Sequence, residues 1–357
     1  MKPKVLLLAL LMVLTLSGCY FDSNPTLLDE PDFEYEPPKL NLQKDIVMTF
    51  TGDVSFADNW HIMDYCKKNN CTPKDLVSQD LIDEMKNADV AHMNNEFVLS
   101  TRGKEIDKSY NFKGKPENAK YYNDFGIDFV TLANNHVWDY GEEAFLDTLD
   151  ALDAAGIKYV GAGKNIKEAS EPLYYEIDGR TIAFVAASRA EKTKRTPEAT
   201  DTTPGILLCY DTTRFVNEIK EAKSKADLVV ALVHWGTEDS DKLEKVQQET
   251  ARLYIDAGAD MIIGGHAHML QGIEYYKNKP IVYNLGNFLF SSTEIDTALL
   301  KVTLTADNEV KLQLIPAVQK DCKVTSEAGT EKGKEILRTV ESISEGIVIA
   351  SDGTVTR

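Results

Sequence analysis

The sequence has little of several features that would point to a particular class of protein. It has five cysteines and no Cys-x-x-Cys pair, which argues against a thiolate zinc site. Cys66 and Cys71 flank a turn-forming tetrapeptide and could close a small disulfide loop outside the cell. Basic residues are not in excess, since 39 Lys and Arg face 57 Asp and Glu, a formal net charge of −18. The charge excludes nucleic acid as a partner, and an anionic substrate would need a local site such as a cation cluster.

The amino terminus has the pattern of an export signal. It carries two lysines, an apolar run at residues 5–16 and then Leu-Ser-Gly-Cys at residues 16–19. An apolar run of this length is too short to span a bilayer comfortably, and it is typical of a secretory signal peptide. The last four residues resemble a bacterial lipobox. We therefore expect a lipoprotein signal peptide at residues 1–18, lipidation of Cys19 and anchoring at the extracellular face of the cytoplasmic membrane; an ordinary signal peptide with a chance cysteine is the alternative.

The remaining chain divides into three parts by composition. Residues 19–44 are rich in Asp, Glu and Pro and lack an apolar period, which predicts a solvated tether. Residues 45–318 alternate apolar strands with amphipathic helices, which predicts one α/β domain. A hairpin signal at Asp178-Gly179 adds antiparallel strands, so the sheets should be mixed. Residues 319–357 contain one helix and a short strand that we expect to pack on this domain.

One construction recurs along the domain: an apolar strand that leads into a side chain able to bind a metal. In a layered α/β fold the carboxyl ends of strands lie along one edge, so residues distant in sequence can converge there. Taken singly, each signal is open to another explanation, because Asp53 could cap a helix and a His-x-His pair could be a hydrogen-bonded loop. The side chains that follow these strands are Asp53, Glu96, Asn135, His136, His234, His266 and His268.

The mixture of ligand types predicts the chemistry. Carboxylate, amide and imidazole groups without thiolate suit one or two ions of Mn²⁺, Fe or Zn²⁺. Ions of this kind activate water and stabilise an attacked phosphate or acyl oxygen, so hydrolysis is the predicted reaction. Helix capping would explain Asp139 but does not explain His136. We therefore predict His136 as a catalytic acid or base and Asp139 as the residue that orients it.

Four further side chains are candidates for binding substrate. Lys113 could hold an anionic group, although a solvated lysine is the ordinary interpretation. Glu238, Asn284 and Asn287 lie in short polar motifs after the later strands.

Taken together, the motifs resemble those of a known family. They occur in one order within residues 45–290: Gly52-Asp53, Asn94-Asn95-Glu96, Leu132 to His136 with Asp139-Tyr140-Gly141, His234-Trp235-Gly236 with Glu238, Gly265 to His268, and Asn284 to Phe288. This series resembles the CapA family of poly-gamma-glutamate capsule synthesis proteins, which is similar to calcineurin-like metallophosphoesterases. The resemblance implies a four-layer α/β/β/α metallophosphatase-like sandwich with mixed sheets and a metal site at the strand ends.

The resemblance also implies how the ligands divide. Glu96 would bridge two ions, Asp53 and His268 would serve one of them, and Asn135, His234 and His266 would serve the other. His136 would be the acid for the leaving group. Two departures leave a single ion, or a site that only binds anions, as alternatives: Ser55 stands where the Asp-x-His motif of the metallophosphoesterases has histidine, and Glu96 replaces an aspartate.

Two functions follow from the sequence. The first is a membrane-anchored, extracellular, metal-dependent hydrolase in capsule or poly-gamma-glutamate biosynthesis. It would act on a phosphoester or a gamma-glutamyl polymer, with a membrane-bound polymer synthase complex as a candidate partner. The alternative is a non-catalytic surface lipoprotein that binds or exports an anionic polymer through a cation-bridged pocket.

Overall fold

The computed structural model describes residues 43–190 and 195–357. The predicted signal peptide, the lipidation site Cys19 and the tether up to residue 42 lie outside the described residues. Within the described part of the chain, no helix has the length and apolar character needed to cross a membrane. The cysteines of this part are free thiols, Cys66 and Cys71 included.

The strands of the described chain, in order, are β1 (Ile46–Val54), β2 (Val90–Asn95), β3 (Val98–Leu99), β4 (Lys113–Gly114), β5 (Phe129–Thr131), β6 (Lys158–Val160), β7 (Ala162–Gly163), β8 (Leu173–Ile177), β9 (Arg180–Ser188), β10 (Gly205–Ile206), β11 (Leu228–Trp235), β12 (Met261–His266), β13 (Ile273–Tyr276), β14 (Lys279–Val282), β15 (Asn287–Leu289), β16 (Ile295–Leu304), β17 (Val310–Lys320), β18 (Lys323–Ser326), β19 (Val348–Ile349) and β20 (Thr354–Thr356).

The α-helices are α1 (His61–Asn69), α2 (Gln79–Lys86), α3 (Lys120–Phe125), α4 (Gly141–Ala155), α5 (Ile166–Ser170), α6 (Thr213–Lys223), α7 (Lys245–Ala257) and α8 (Glu331–Ser342). Two 3₁₀ turns, Pro73–Leu76 and Pro116–Ala119, precede α2 and α3.

Two large sheets form the body of the fold, and both are mixed. The first has the order β19-β20-β17-β16-β1-β2-β5-β6, with β15 beside β1 and β18 beside β17. The second has the order β13-β14-β12-β11-β9-β8. The strands around β1 and β11 are parallel, whereas β16, β8 and β13 join antiparallel. Asp178 and Gly179 both have positive φ, as the predicted β8–β9 hairpin requires.

Alternating apolar residues on the strands define the layers. In β5, Phe129 faces the core between the two sheets, and its neighbour Val130 packs against the helices outside the first sheet. In β11, Val230 faces the same inter-sheet core, and Val229 packs against the helices outside the second sheet. The order of layers is therefore α/β/β/α, and the predicted fold class is confirmed.

The strands that carry the site extend further than the sequence pattern predicts. Strand β1 continues to Val54, β11 to Trp235 and β12 to His266, so several ligand-type residues end strands rather than follow them. Glycine permits this extension in β1, because a Cβ at Gly52 would lie 1.8 Å from the carbonyl oxygen of Gly286. The parallel ladders consequently carry the polar side chains to one shared edge of both sheets.

Candidate metal centre

The structure brings the predicted ligands together at the carboxyl ends of the parallel strands. Strands β1 and β2 of the first sheet meet β11 and β12 of the second at this edge. The side chains are buried, and only His268 keeps noticeable exposure, 15% of its side chain. The residues gathered here are Asp53, Glu96, Asn135, His136, Asp139, His234, His266, His268 and Asn287.

Ligand atoms form two sets that share one carboxylate. In each set, three potential ligand atoms lie within 4.8 Å of one another. We call Glu96, His234 and His266 the inner set, and Asp53, Glu96 and His268 the outer set. Asn135 adds an amide to the inner set, since its Oδ1 lies 2.8 Å from His234 Nε2. The family resemblance implies the same grouping, and its assignment to two ions stays a prediction.

Two buried atoms at the centre lack a hydrogen-bond partner. They are Oε1 of Glu96 and Nδ1 of His266, which are both within the inner set. Buried polar atoms are normally satisfied, because an unpaired acceptor in the interior costs about 1–3 kcal/mol. A divalent cation would satisfy both atoms, and the carboxylate and imidazole donors suit Mn²⁺, Fe or Zn²⁺. The residues present therefore fit a divalent ion.

Burial and ion pairing set opposite protonation states in the two sets. Burial disfavours charge on Asp53, yet the hydrogen bond from His268 and the positive charges nearby lower its pKa below the ordinary value. Burial would lower the pKa of His268, but the bond to Asp53 and the charge of Glu96 outweigh it and raise that pKa to about 10. Burial and neighbouring imidazoles hold the pKa of His266 well below its ordinary value. His268 is thus protonated in the metal-free protein, and His266 is neutral.

The loop that carries the two histidines has an unusual backbone. His266 and His268 have φ of 92° and 59°, in the left-handed region that non-glycine residues rarely adopt. The His266 N–H donates to Asp53 Oδ2 at 3.2 Å, which fixes the strained turn against β1. Gly265 leaves room for the ligands, since a Cβ there would lie 3.0 Å from Asp53 Oδ1. Conformations of this kind persist where surrounding contacts impose them, often at functional sites.

An imidazole–carboxylate pair lies beside the two sets. His136 Nδ1 is 2.7 Å from Asp139 Oδ2, and its Nε2 faces the centre, 4.0 Å from Glu96 Oε1. Asp139 also accepts the Phe112 N–H at 2.8 Å. Burial holds the pKa of His136 well below its ordinary value and raises that of Asp139 to about 7. The pair can carry a proton at the rim of the centre.

The lysine beside this pair is Lys108, which sequence reasoning missed. Its Nζ lies 3.1 Å from Asp139 Oδ1 and 3.3 Å from His136 Nδ1, and it donates to the Asn135 carbonyl. The predicted Lys113 instead has its ammonium 3.9 Å from the centre of the Tyr140 ring. Lys108 lies in a loop and Lys113 begins the short strand β4, but both belong to a polar stretch without periodicity, so the sequence held no signal to choose between them.

Asn94 is a second residue that sequence reasoning passed over. Its Nδ2 donates to Asp53 Oδ1 at 2.7 Å and lies 3.4 Å from Glu96 Oε2, so it orients the carboxylates of the outer set. Its neighbour Asn95 turns away and accepts the Tyr122 hydroxyl. Strand alternation is the signal that could have separated the two, because Asp53 pairs with Asn94 in the β1–β2 register.

The other predicted residues occupy three different environments. Asn287 Oδ1 lies 2.8 Å from His268 Nδ1 and orients that ring. Asn284 accepts the Gly286 N–H at 2.8 Å, which is a structural role in the turn before β15. Glu238 lines a cleft that opens beside His268. Ser55, at the place of the superfamily's histidine, is fully buried and its hydroxyl has no partner.

Comparison with known proteins finds a matching family and two similar relatives. Residues 47–292 match the family described as "Bacterial capsule synthesis protein PGA_cap". The chain is 32% identical over 295 residues to "Capsule biosynthesis protein CapA" of Bacillus anthracis, covering 78% of this chain and 69% of that protein. It is 31% identical over 258 residues to "PGA biosynthesis protein CapA" of Bacillus subtilis, covering 71% of this chain and 67% of that protein.

Among solved structures, a putative 5′-nucleotidase from Staphylococcus aureus in complex with alpha-ketoglutarate superposes with a TM-score of 0.49 at 15% identity. The superposition covers 84% of this chain and 58% of that structure, so the chain spans less than two thirds of the nucleotidase. The family match over most of the domain and the two CapA relatives together show that the chain belongs to the PGA_cap family of bacterial capsule synthesis proteins.

Proposed function

We propose that this protein is a metal-dependent hydrolase that cleaves a phosphoester during capsule synthesis. The observation that carries the proposal is the sharing of Glu96 by two sets of ligand atoms, each within 4.8 Å, beside the His136–Asp139 pair. Two cation positions bridged by one carboxylate suit hydrolysis of phosphoesters, where both the attacking and the leaving oxygen need stabilisation.

The protein's own residues have distinct parts in this proposal. The inner and outer sets would hold the cations, which when bound supply Lewis-acid stabilisation and activate water. Asn94 and Asn287 orient the ligands Asp53 and His268 through hydrogen bonds of 2.7 and 2.8 Å. His136 would donate the proton on Nε2 to the leaving oxygen while its Nδ1 takes up the proton of the Asp139 carboxyl group, whose pKa is raised to about 7.

An assay of the purified full-length protein tests this function. Mn²⁺-loaded protein should hydrolyse p-nitrophenyl phosphate or bis-p-nitrophenyl phosphate, and EDTA should abolish the reaction. His136→Asn should lower kcat by about 100-fold, a usual contribution of general acid catalysis, while bound metal is retained. Tight binding of poly-gamma-glutamate without turnover of any ester would instead favour the non-catalytic alternative.

We also propose that Cys19 anchors the protein at the extracellular face of the membrane, where a polymer synthase complex could be its partner. The lipobox-like sequence at residues 16–19 supports this location. Cells that produce Cys19→Ala should release the protein from the membrane fraction and incorporate no labelled palmitate into it. Equal membrane association of the two forms would contradict the anchor.

A further inference from the structure

A cleft of 290 Å³ opens beside the metal centre. His136 and His268 contribute to its lining, so a phosphate at the centre would direct the rest of the substrate into this cleft. The volume is close to the lower limit of small-molecule pockets, about 300 Å³, and suits one ring better than a thick polymer. The cleft can therefore select substrates by the group that carries the phosphate.

One side of the cleft is aromatic. We call Trp60, Tyr110, Phe112 and Phe290 the aromatic wall. Its inner members contact the centre, since the rings of Phe112 and His136 are 4.5 Å apart and those of Phe290 and His268 are 5.1 Å apart. Its outer member Tyr110 is 60% exposed. The wall thus continues from the two histidines to the surface, with the ring of His61 against Trp60 at 4.4 Å.

The exposed ring is held in place by its loop. Asn111 Nδ2 donates to the carbonyls of Ile106 and Lys108, both at 3.2 Å, and the Asn111 carbonyl accepts from Asn59 Nδ2 at 2.8 Å. The ring of Tyr110 stacks at 19° on Phe112, with 6.4 Å between centroids. A large apolar ring fixed at the mouth of a site is a preorganised contact surface for a ligand.

The opposite side of the cleft is acidic. Glu238 and Asp239 line it, and the Asp239 N–H donates to the Ala267 carbonyl at 3.0 Å, beside the histidine loop. Among the residues that the structure describes, the lining contains neither lysine nor arginine. The nearby Lys108 lies behind His136 and pairs with Asp139 at 3.1 Å. An anionic group placed beside Glu238 and Asp239, on the side of the cleft opposite the aromatic wall, would meet repulsion that a neutral ring would not.

We propose that this cleft binds the organic part of the substrate, and that this part is an uncharged ring whose face stacks on the aromatic wall. The inference rests on the proposed phosphoesterase function and specifies its substrate class: a phosphate ester of a neutral ring, such as a sugar or an aryl group. The carboxylates of Glu238 and Asp239 can accept hydrogen bonds from ring hydroxyls. They also disfavour a polycarboxylate chain as the group that occupies the cleft.

A pair of matched esters tests the charge selection. Phenyl phosphate and 4-carboxyphenyl phosphate differ by one negative charge at the far end of the ring. The Mn²⁺-loaded full-length protein should prefer phenyl phosphate by about fivefold or more in kcat/KM, the effect of one like charge near the surface. The double variant Glu238→Gln/Asp239→Asn should reduce that ratio towards one. The ratio of kcat/KM for glucose 1-phosphate to kcat/KM for phenyl phosphate then shows whether the cleft prefers a sugar ring or an aryl ring.

The aromatic contact is tested by Tyr110 and by a binding measurement. Tyr110→Ala should raise KM for phenyl phosphate about fivefold, with kcat little changed. A loss of affinity of about fivefold is the size expected when one aromatic stacking contact is removed. Tyr110→Phe, which keeps the ring, should restore the KM. Calorimetry with phenylphosphonate, which is not hydrolysed, should show weaker binding to Tyr110→Ala than to the wild type and to Tyr110→Phe.

The outcomes separate the two proposals. Hydrolysis of both esters at equal kcat/KM, with no response to the acidic-side or Tyr110 variants, would overturn the substrate inference and leave the hydrolase function standing. A lack of hydrolysis of any ester, together with equal binding of phenylphosphonate and 4-carboxyphenylphosphonate, would overturn both. A preference for the carboxylated ester would contradict the charge argument directly.

Discussion

The inner and outer ligand sets share Glu96 but differ in almost everything else. The inner set is fully buried, has a neutral His266 and gains an amide from Asn135. The outer set borders the cleft, and its His268 bears a proton that balances Asp53 when metal is absent. We infer from this difference that an ion would bind more tightly at the inner position than at the outer one, where it must replace the proton of His268.

The largest expected effect comes from the residue common to both sets. Glu96→Gln should remove metal from both positions and lower activity at least about 100-fold. Residues that only orient a metal ligand already cost up to about 100-fold in activity when they are replaced, and Glu96 would be a ligand itself. The metal-free variant should nonetheless be more stable than the metal-free wild type by about 1–2 kcal/mol, because a neutral amide replaces a buried carboxylate whose Oε1 has no hydrogen-bond partner. Metal analysis and denaturant unfolding check the two effects.

A control for this variant is Glu84→Gln, which removes a carboxylate paired with Lys301 at 2.8 Å away from the site. It should change neither metal content nor activity. If Glu96→Gln kept its metal and lost only stability, the two ligand sets would be wrong.

Next in size is a pair of histidine variants that separates the sets. His266→Asn should weaken the tighter ion by about 10–100-fold, and His268→Asn should weaken only the looser ion by a similar factor. Titration with Mn²⁺, followed by calorimetry, resolves two affinities if the sets are distinct. An identical loss of both ions in the two variants would erase the distinction between inner and outer positions.

A dependence on pH should distinguish the outer set. An ion there must displace the proton of His268, whose pKa is raised to about 10, so its affinity should rise about tenfold per pH unit between pH 7 and 9. The inner set should show no comparable rise through His266, whose pKa is lowered. Calorimetric titrations in buffers of different pH measure both affinities.

The same group sets a stability trend in the metal-free protein. The folded-state pKa of His268 lies above its ordinary value of 6.5, so its contribution to the free energy of unfolding is complete below pH 6.5 and is lost as pH rises through about 10. The loss is about 1.4 kcal/mol per pH unit. His268→Asn should flatten this slope, and an unchanged slope would contradict the Asp53–His268 pairing.

The smallest effect concerns Lys108, which contacts the Asn135 carbonyl beside the inner set and the His136–Asp139 pair. Lys108→Met should slow hydrolysis of an alkyl phosphate about tenfold more than that of p-nitrophenyl phosphate, because only the poor leaving group needs a well-placed acid. Lys113→Met, which replaces the lysine predicted from the sequence, should change the hydrolysis rates of the two esters by the same factor. Equal effects of the two lysine variants would remove Lys108 from the acid's environment.

Sequence reasoning predicted the fold class and the residues at the strand ends because both depend on local patterns. Apolar strands followed by Asp53, Glu96 or His234 are visible without any structure, and parallel strands must carry such residues to one edge. The strand lengths were underestimated, because Gly52 and Gly265 interrupt the apolar pattern while the ladders continue through them.

The residues that the sequence could not provide depend on long-range packing. Lys108 and Lys113 belong to one polar stretch of the sequence without periodicity, and only the fold decides which of them reaches Asp139. The aromatic wall likewise combines Trp60, Tyr110 and Phe290 from three distant segments. No spacing of residues in the sequence predicts that these rings lie close together.

Anomalous diffraction from crystals of the Mn²⁺-loaded protein tests whether Glu96 is shared by two metal positions. We expect two Mn²⁺ peaks bridged by Glu96, with the stronger one at His234 and His266 and the weaker one at Asp53 and His268. Absence of any peak at Glu96, or a single ion bound elsewhere in the described fold, would contradict it.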